Sequence, residues 1–549
     1  MLDIPVLIIG GGPVGLTASL LLSRQGIHSL LAERHPGTAV VPKARGINAR
    51  TMEMYRQLGI EEAIRAAGLA VEKTGLIVWT ESLAGTEIER RVPGRFDPKN
   101  MAATPTHNCL CAQDDFEPVL RRFAEAEPLA TLRFSTEMTT VQYDADGVTG
   151  TLVDRVTGEE TPFHAQYLLA CDGAQSRVRR QVGARMLGRE AVYDSVNILF
   201  HADLRPWTAH RPAALYFVEQ PDLRGTFLTI NAHDRWGFLI HSLSQYDFRP
   251  EDLTPERCVA LIRQAVGVPD LEVSIRGVSA WEASAIVADR YRFGRVFLAG
   301  DAAHEMPPTG GFGMNTGVQD AQNLCWKLAA VLHGQAGDAL LDSYHDERQP
   351  LGRLITETSL ANSLSMGRTE RVQGAKLARP EFLNEQGLIF GAEYESVAVV
   401  QDGSDAPVVA DRVTQYAPSA RPGHRAPHAW LERDGQRLST IDLFGRGFVL
   451  LTGTTREAWR AAFAGLNIPG ATAYSIGREL ADLGDAWRSA YGLDADGAVL
   501  VRPDGHVAWR SRGGHEAPGQ VLGAAVARLL GRAGYSRRSS NDAARSGLA

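Results

Sequence analysis

VFLAGDAAHEMPPTGGFGMNTGVQDAQNLCWKLAAVL, Val296 to Leu332, is the stretch around which the chain is organised. An apolar strand, Val296 to Ala299, runs into Gly300 and Asp301. His304, the pair Pro307 and Pro308, and a glycine loop follow, and an amphipathic helix starts near Met314. Gly310, Gly311 and Gly313 carry no Cβ, so the backbone can come close to a flat ligand, and the free amides of a helix start favour a partly negative ligand atom. Val318, Ala321, Leu324, Leu328 and Leu332 recur at helical spacing, which assigns the rest of the helix to the core. Only its first turn needs a functional explanation.

Upstream, DIPVLIIGGGPVGLTASLLLSRQGIHSLLAER reads as a buried strand, a glycine turn, a helix and a second strand ending at Glu33 and Arg34. This is a dinucleotide fingerprint in its required context. Gly10 permits the tight turn, Gly12 lets the backbone reach a pyrophosphate, Pro13 and Val14 open the helix, and Gly15 lets it pack on the strand. Glu33 is placed to accept hydrogen bonds from a ribose. The fingerprint alone does not separate FAD from NAD, but no second one of like quality follows, which favours FAD as the resident ligand.

Between these motifs, Gln113 opens a helix, QDDFEPVLRRFAE, and strand signals at 132–134, 139–143 and 148–153 suggest an antiparallel ribbon. YLLACDGAQSRVRR then presents a further strand ending in Asp172-Gly173 before a helix start at Ser176, Arg177 and Arg179. From Tyr193 to Trp281 short alternating segments read as an antiparallel sheet with one covered face. Tyr216, Phe227, Phe238 and Trp281, with His241, are candidate walls of a pocket for a flat substrate; membership of the sheet core is the alternative for each. A Pro-, Gly- and Asp-rich linker runs over 401–427.

Strand, Gly-Asp, Pro-Pro, glycine loop, Asn315 and helix, in that order after the fingerprint and Asp172, resemble the class A flavoprotein monooxygenases, the FAD-dependent aromatic hydroxylases. RPEDLTPERC, NTGVQDAQNLCWKL and RPGHRAPHAWL look closest to the aromatic polyketide hydroxylases, including those acting on anthracycline-type rings. The fold implied is α/β: a Rossmann-like FAD-binding domain (1–74, 111–189 and 286–370) with an inserted antiparallel-sheet substrate domain (75–110 and 190–285). A connecting region (371–427), a C-terminal thioredoxin-like domain lacking cysteines (428–535) and a disordered tail (536–549) complete it. In the same resemblance Gly300 and Asp301 meet the ribityl chain, and Pro308, Gly311, Gly313, Met314 and Asn315 meet the isoalloxazine. Arg45 lies near the flavin and the site of nicotinamide attack, Gln113 contacts the flavin chain, and Asp172 with Arg177 serves FAD and the nicotinamide. The carbonyls of Pro307 and Pro308 line the ring face, and His304 is a candidate for proton transfer or for structuring its loop.

The reaction implied is hydroxylation of a phenolic, polycyclic substrate with FAD, NADPH or NADH as co-substrate, and O2, through a flavin C4a-hydroperoxide. Baeyer–Villiger or ring-opening oxygenation, and a flavin-bearing binding or redox-sensing protein, remain open alternatives. With 549 residues, 44% apolar and 22% charged, the chain reads as an ordinary soluble globular protein of about three domains. A net charge of −7 gives no electrostatic footprint for nucleic acid. No apolar run spans a membrane, five scattered cysteines suggest a reducing, cytoplasmic setting, and no recognised metal spacing occurs. Assembly as a homodimer is left open.

Overall fold

The computed structural model describes residues 1–241, 243, 249–366, 383–454 and 457–532. Three apolar runs, within the strands Leu2–Ile9, Glu160–Ala170 and Val296–Leu298, are buried as neighbouring parallel strands. Burial on both faces is what lets such runs be continuously apolar. Their register brings Ile9 opposite Ala170 and Ala170 opposite Leu298. Gly10, Asp172 and the Gly300–Asp301 turn therefore leave the sheet at one edge, outside the carboxyl ends of its strands, where ligands bind in open α/β sheets. Ser29–Ala32 and Ala130–Arg133 extend the sheet on one side, Arg292–Phe293 on the other. The ribbon forms as Thr136–Tyr143 paired with Val148–Asp154; the segment expected at 132–134 is instead part of Ala130–Arg133, parallel to Ser29–Ala32 in the main sheet.

A second sheet runs in the order His304–Glu305, Ser274–Ala288, Met186–His201, Arg235–His241, Arg224–Thr229, Ala213–Glu219, Leu76–Thr80 and Glu87–Arg91. All its pairings are antiparallel except that of Ala213–Glu219 with Leu76–Thr80. The helix Pro255–Val266 covers one face through Cys258, Leu261, Ile262 and Val266. The other face looks toward the edge where the three motif strands end.

Near the C-terminus a four-stranded sheet has the order Thr472–Ser475, Val449–Thr452, Ala498–Val501, Val507–Ser511, the first pair parallel and the rest antiparallel. Helices Glu457–Gly465 and Pro518–Leu529 pack on it. This is a thioredoxin-like arrangement, and with no cysteine after Cys325 it has no dithiol chemistry. No described helix is long and apolar enough to cross a membrane. Residues 371–382 of the connecting region and the expected tail at 536–549 lie outside the described residues.

The helix Gly313–Leu332 joins the sheets. Its second half is buried among charges: Arg502 donates two hydrogen bonds to Glu347 (2.6 and 2.8 Å), Lys327 donates to Glu347 and Asn323 (2.8 Å each), and Trp326 donates to Asp504 (3.2 Å). Burial pushes the Lys327 ammonium down to about 8 against the pull of Glu347. Arg502 also pairs with Asp504, so the C-terminal sheet is bolted to this helix by ions with no solvent access. Removing one partner of such a set leaves a buried charge uncompensated, at a cost of about 3–5 kcal/mol. Arg502→Ala is therefore expected to lower unfolding free energy in urea by about that amount. Arg353→Ala, at an exposed pair with Glu357, should cost no more than about 0.5 kcal/mol; equal losses for the two would contradict the clamp.

Candidate active site

The strand ends open into one cavity of about 1820 Å³, against roughly 300–1,000 Å³ for a usual ligand site. Its volume suits two ligands side by side. At one end lies the fingerprint turn, where Gly10 has φ +110° and a Cβ would sit 2.2 Å from Cys171 O. At Gly12 the nearest atom to an added Cβ is Glu117 Oε1 at 3.8 Å, so this side of the turn is open. Pro13, Val14, Glu33 and Arg34 line the cavity; Gly15 does not, because it packs against Gly10 O. The Glu33 carboxylate accepts from Gly11 N (2.6 Å) on Oε2 and from His35 N (2.8 Å) and Nδ1 (2.6 Å) on Oε1, which fixes its direction and leaves one lone pair of Oε2 free. Glu117, at the same end, accepts from Ala39 N and Gln113 Nε2 (2.6 Å each), and burial raises its pKa.

Asp301 is exposed on the cavity wall; the protein around it raises its pKa by desolvation, against His304, Lys43 and Arg179. Gly300 lies behind it with φ +62°, and Gly317 meets it so closely that a Cβ on Gly317 would come 2.8 Å from Gly300 Cα. Asp172 caps the short helix Arg177–Gln181, accepting from Ser176 Oγ (2.5 Å), Arg177 N (2.8 Å) and Val178 N (3.2 Å), while burial raises its pKa. Arg177 itself pairs with Glu137 at 2.5 Å. Arg179, not singled out from sequence as a site residue, donates to Ala174 O, Asp301 O and Ala302 O and so ties the second motif to the third.

At the opposite side Pro307, Pro308, Gly311, Gly313, Met314 and Asn315 form one wall. Pro307 O already accepts from Ser359 Oγ (2.6 Å) and Pro308 O from Gly311 N (3.0 Å), so both carbonyls carry internal bonds. The amides of Gly313, Met314 and Asn315, at the helix start, have no protein acceptor among the described residues. The Asn315 side chain is a bracket: its Oδ1 accepts from Asn48 N (2.9 Å) and its Nδ2 donates to Gly46 O (2.9 Å) and Gly311 O (2.8 Å). Gln113 supports the same loop, accepting from Ala44 N (3.1 Å). Arg45 lines the cavity and donates to Thr229 O (3.0 Å) on the second sheet.

Several expected wall residues are corrected. Tyr216, Phe227 and Phe238 point away from the cavity into the core under the Pro255–Val266 helix, each at most 1% exposed. Side chains alternate across a strand, and the cavity face carries their neighbours Leu215, Phe217, Thr226, Leu228, Gly237 and Leu239. Phe217 stacks on Trp79 at 5.0 Å. Of the expected set only Trp281 lines the cavity; His241 is buried against Ser195 Oγ (2.9 Å) and the edge of Tyr193. His304 is also corrected as a catalytic contact. It is wholly buried, outside the cavity, and its Nε2 donates to Asp320 Oδ2 at 2.7 Å.

The free helix amides, the glycine turns at three strand ends and a second compartment with an aromatic wall fit a bound flavin dinucleotide beside an aromatic molecule. Comparison with known proteins agrees. Residues 3–359 match the FAD binding domain family and residues 419–533 the aromatic-ring hydroxylase C-terminal family. A tetracenomycin B2 monooxygenase-dioxygenase from Streptomyces olivaceus is 39% identical, over 97% of this chain and 99% of that protein. A 4-methyl-5-nitrocatechol 5-monooxygenase from a Burkholderia species is 40% identical over 96% and 98%. The ternary complex of aklavinone-11 hydroxylase with FAD and aklavinone superposes with a TM-score of 0.86 at 36% identity, covering 96% or more of both chains (97% and 100%).

The two faces of the second sheet can be told apart by mutation. Phe227→Ala is expected to cost about 3–5 kcal/mol in urea unfolding, as a core truncation does. Leu228→Ala, at the cavity wall, should cost less than half as much and weaken binding of an aromatic ligand instead. Similar stability losses with Phe227→Ala alone weakening the ligand would return Phe227 to the wall.

Proposed function

The chain belongs to the FAD-dependent aromatic-ring hydroxylases, and from that membership we propose that it uses NAD(P)H and O2 to hydroxylate a phenolic, polycyclic polyketide-type substrate. The observation that carries the reading is the double-sized cavity, with a dinucleotide turn at one end and an apolar wall of Leu215, Phe217, Leu228 and Trp281 at the other. FAD, when bound, takes electrons from NAD(P)H and delivers one atom of O2 to the ring.

This chain's residues supply the setting. Gly12, Pro13, Val14, Glu33 and Arg34 would hold the ADP half, Asp301 a hydroxyl of the ribityl chain, and Gln113 the loop around Arg45. The amides of Gly313, Met314 and Asn315, with a helix dipole behind them, would stabilise negative charge on the ring system. Asp172 and Arg177 would serve the passing nicotinamide. Leu228, Phe217 and Trp281 would keep water from the reacting atoms. The free, reduced cysteines suit a cytoplasmic setting.

NADPH oxidation and oxygen uptake by the purified protein, with product mass, across anthraquinone-type, naphthacene-type and simple phenols, test this. A gain of one ring oxygen with substrate-stimulated oxidation is the expected result. Insertion beside a ketone, or a gain of two oxygens, would favour the ring-cleaving or Baeyer–Villiger reading; bound FAD with no stimulation would favour a sensor.

Asp301 gives a sharper prediction. A hydrogen bond to a charged group is worth about 1.5–3 kcal/mol, so Asp301→Ala should weaken FAD roughly ten- to hundredfold, read as flavin lost on dialysis. Because the surrounding protein raises this carboxyl in the ligand-free protein and a bound donor favours the ionised form, FAD binding at a pH near or below that raised value should release a proton. Affinity should then be weaker at pH below the raised value and tighten as pH rises through it; Asp301→Asn should flatten that dependence. Full flavin retention by Asp301→Ala counts against the assignment.

A further inference from the structure

The substrate end of the cavity holds more positive charge than its role as an apolar wall requires. Arg45 and Arg95 both line it. Among the described residues Arg45 has one protein acceptor, the Thr229 carbonyl, and Arg95 one, the Thr74 carbonyl at 3.3 Å. Arg95 also lies over the Phe96 ring, 5.0 Å from its centroid. The two guanidiniums act on each other unfavourably, and Glu385 is the one carboxylate among the described residues that acts on Arg95; it also accepts from Asn362 Nδ2 (3.3 Å). Burial pushes each arginine down to about 10, which still leaves both cationic at neutral pH.

Enclosed like charges that share a cavity, one of them without a carboxylate partner among the described residues, are costly and call for an anion. We propose that Arg95 and Arg45 form an oxyanion subsite that takes an ionised ring hydroxyl of the substrate, with Arg95 as its specificity-determining residue. The inference rests on the hydroxylase reading, and it names the form of substrate bound. The hydroxyl gives up its proton to water as the ligand enters, and the negative oxygen lies between the two guanidiniums; no side-chain base is needed. A phenolate suits the chemistry better than a remote acid group would, because charge on the ring oxygen makes the ring a stronger nucleophile toward an electrophilic oxygen. Phe96, Phe390 and Ile389, also on the lining, give the ring its apolar bed.

The test uses the FAD-loaded protein and two probes: 1,8-dihydroxyanthraquinone, whose visible band moves to the red on ionisation, and anthraquinone-2-carboxylate, which has no ring hydroxyl. Mixing the first with wild-type protein, at a pH where the free probe is neutral, should give the ionised band and release a proton. Arg95→Gln should reduce the ionised fraction and weaken binding by about tenfold or more, and Arg95→Lys should restore part of both. A wild-type complex that binds the probe without the red band overturns the proposal, as does a red band undiminished in Arg95→Gln. Binding of the carboxylate that depends on Arg95, with the phenol bound neutral, would instead make this a carboxylate subsite. Flavin content, read from the same spectra, reports separately on the hydroxylase reading.

Discussion

The Asp320 carboxylate is the joint on which the site depends. One oxygen accepts from Gly300 N (3.1 Å) and His304 Nε2 (2.7 Å), the other from Arg348 Nε (2.7 Å), and all three side chains and the glycine are buried. Arg348 and His304 hold the carboxyl below the usual carboxylate range although burial pushes the other way. Arg348 also donates to Thr316 O (3.0 Å) and Tyr394 OH (2.9 Å). One ion set thus fixes the Gly-Asp turn, the first turn of the Gly313–Leu332 helix and the connecting region beyond Phe390 relative to one another. Asp301 in front of the turn and the helix amides beside it gain their positions from groups outside the cavity lining.

The same helix carries the clamp of Glu347, Lys327, Arg502 and Asp504 at its other end. Its first turn faces a cavity while its later turns are held from both sides by charge. Buried ions are a poor source of stability when compared with apolar packing, so their use along this helix is better understood as directional: each requires one geometry. A thioredoxin-like domain without cysteines has a role here in keeping that helix in place.

Much of this was legible in the sequence. The helix Gln113–Glu125, the helix Pro255–Val266 and the helix starting at Gly313 follow apolar spacing and their opening residues closely, and the three glycine motifs named the family. The fold class rests on the same residues. The cavity wall was not legible, because Tyr216 and Phe217, or Phe227 and Leu228, are adjacent apolar residues on a strand buried on both faces. Period-two alternation separates the faces but does not say which one meets a helix and which a cavity.

Other misses have other causes. His304 follows a motif and looks chemical, but its partner, Asp320, lies sixteen residues on in a helix where only the apolar positions were interpreted; that Asn323, Lys327 and Asp320 occur among those positions was the available sign of a buried network. Arg95 sits in an irregular stretch with no periodicity to interpret, and its meaning comes only from the cavity it shares with Arg45.

A crystal structure of the protein with FAD and 1,8-dihydroxyanthraquinone would test the central claim directly. The account predicts the dinucleotide along Gly12, Glu33 and Asp301, the flavin ring against Pro308 to Asn315, and the anthraquinone between that ring and Phe217, Leu228 and Trp281. Either compound seated elsewhere, or the aromatic ligand against the Tyr216, Phe227 and Phe238 face, would contradict it.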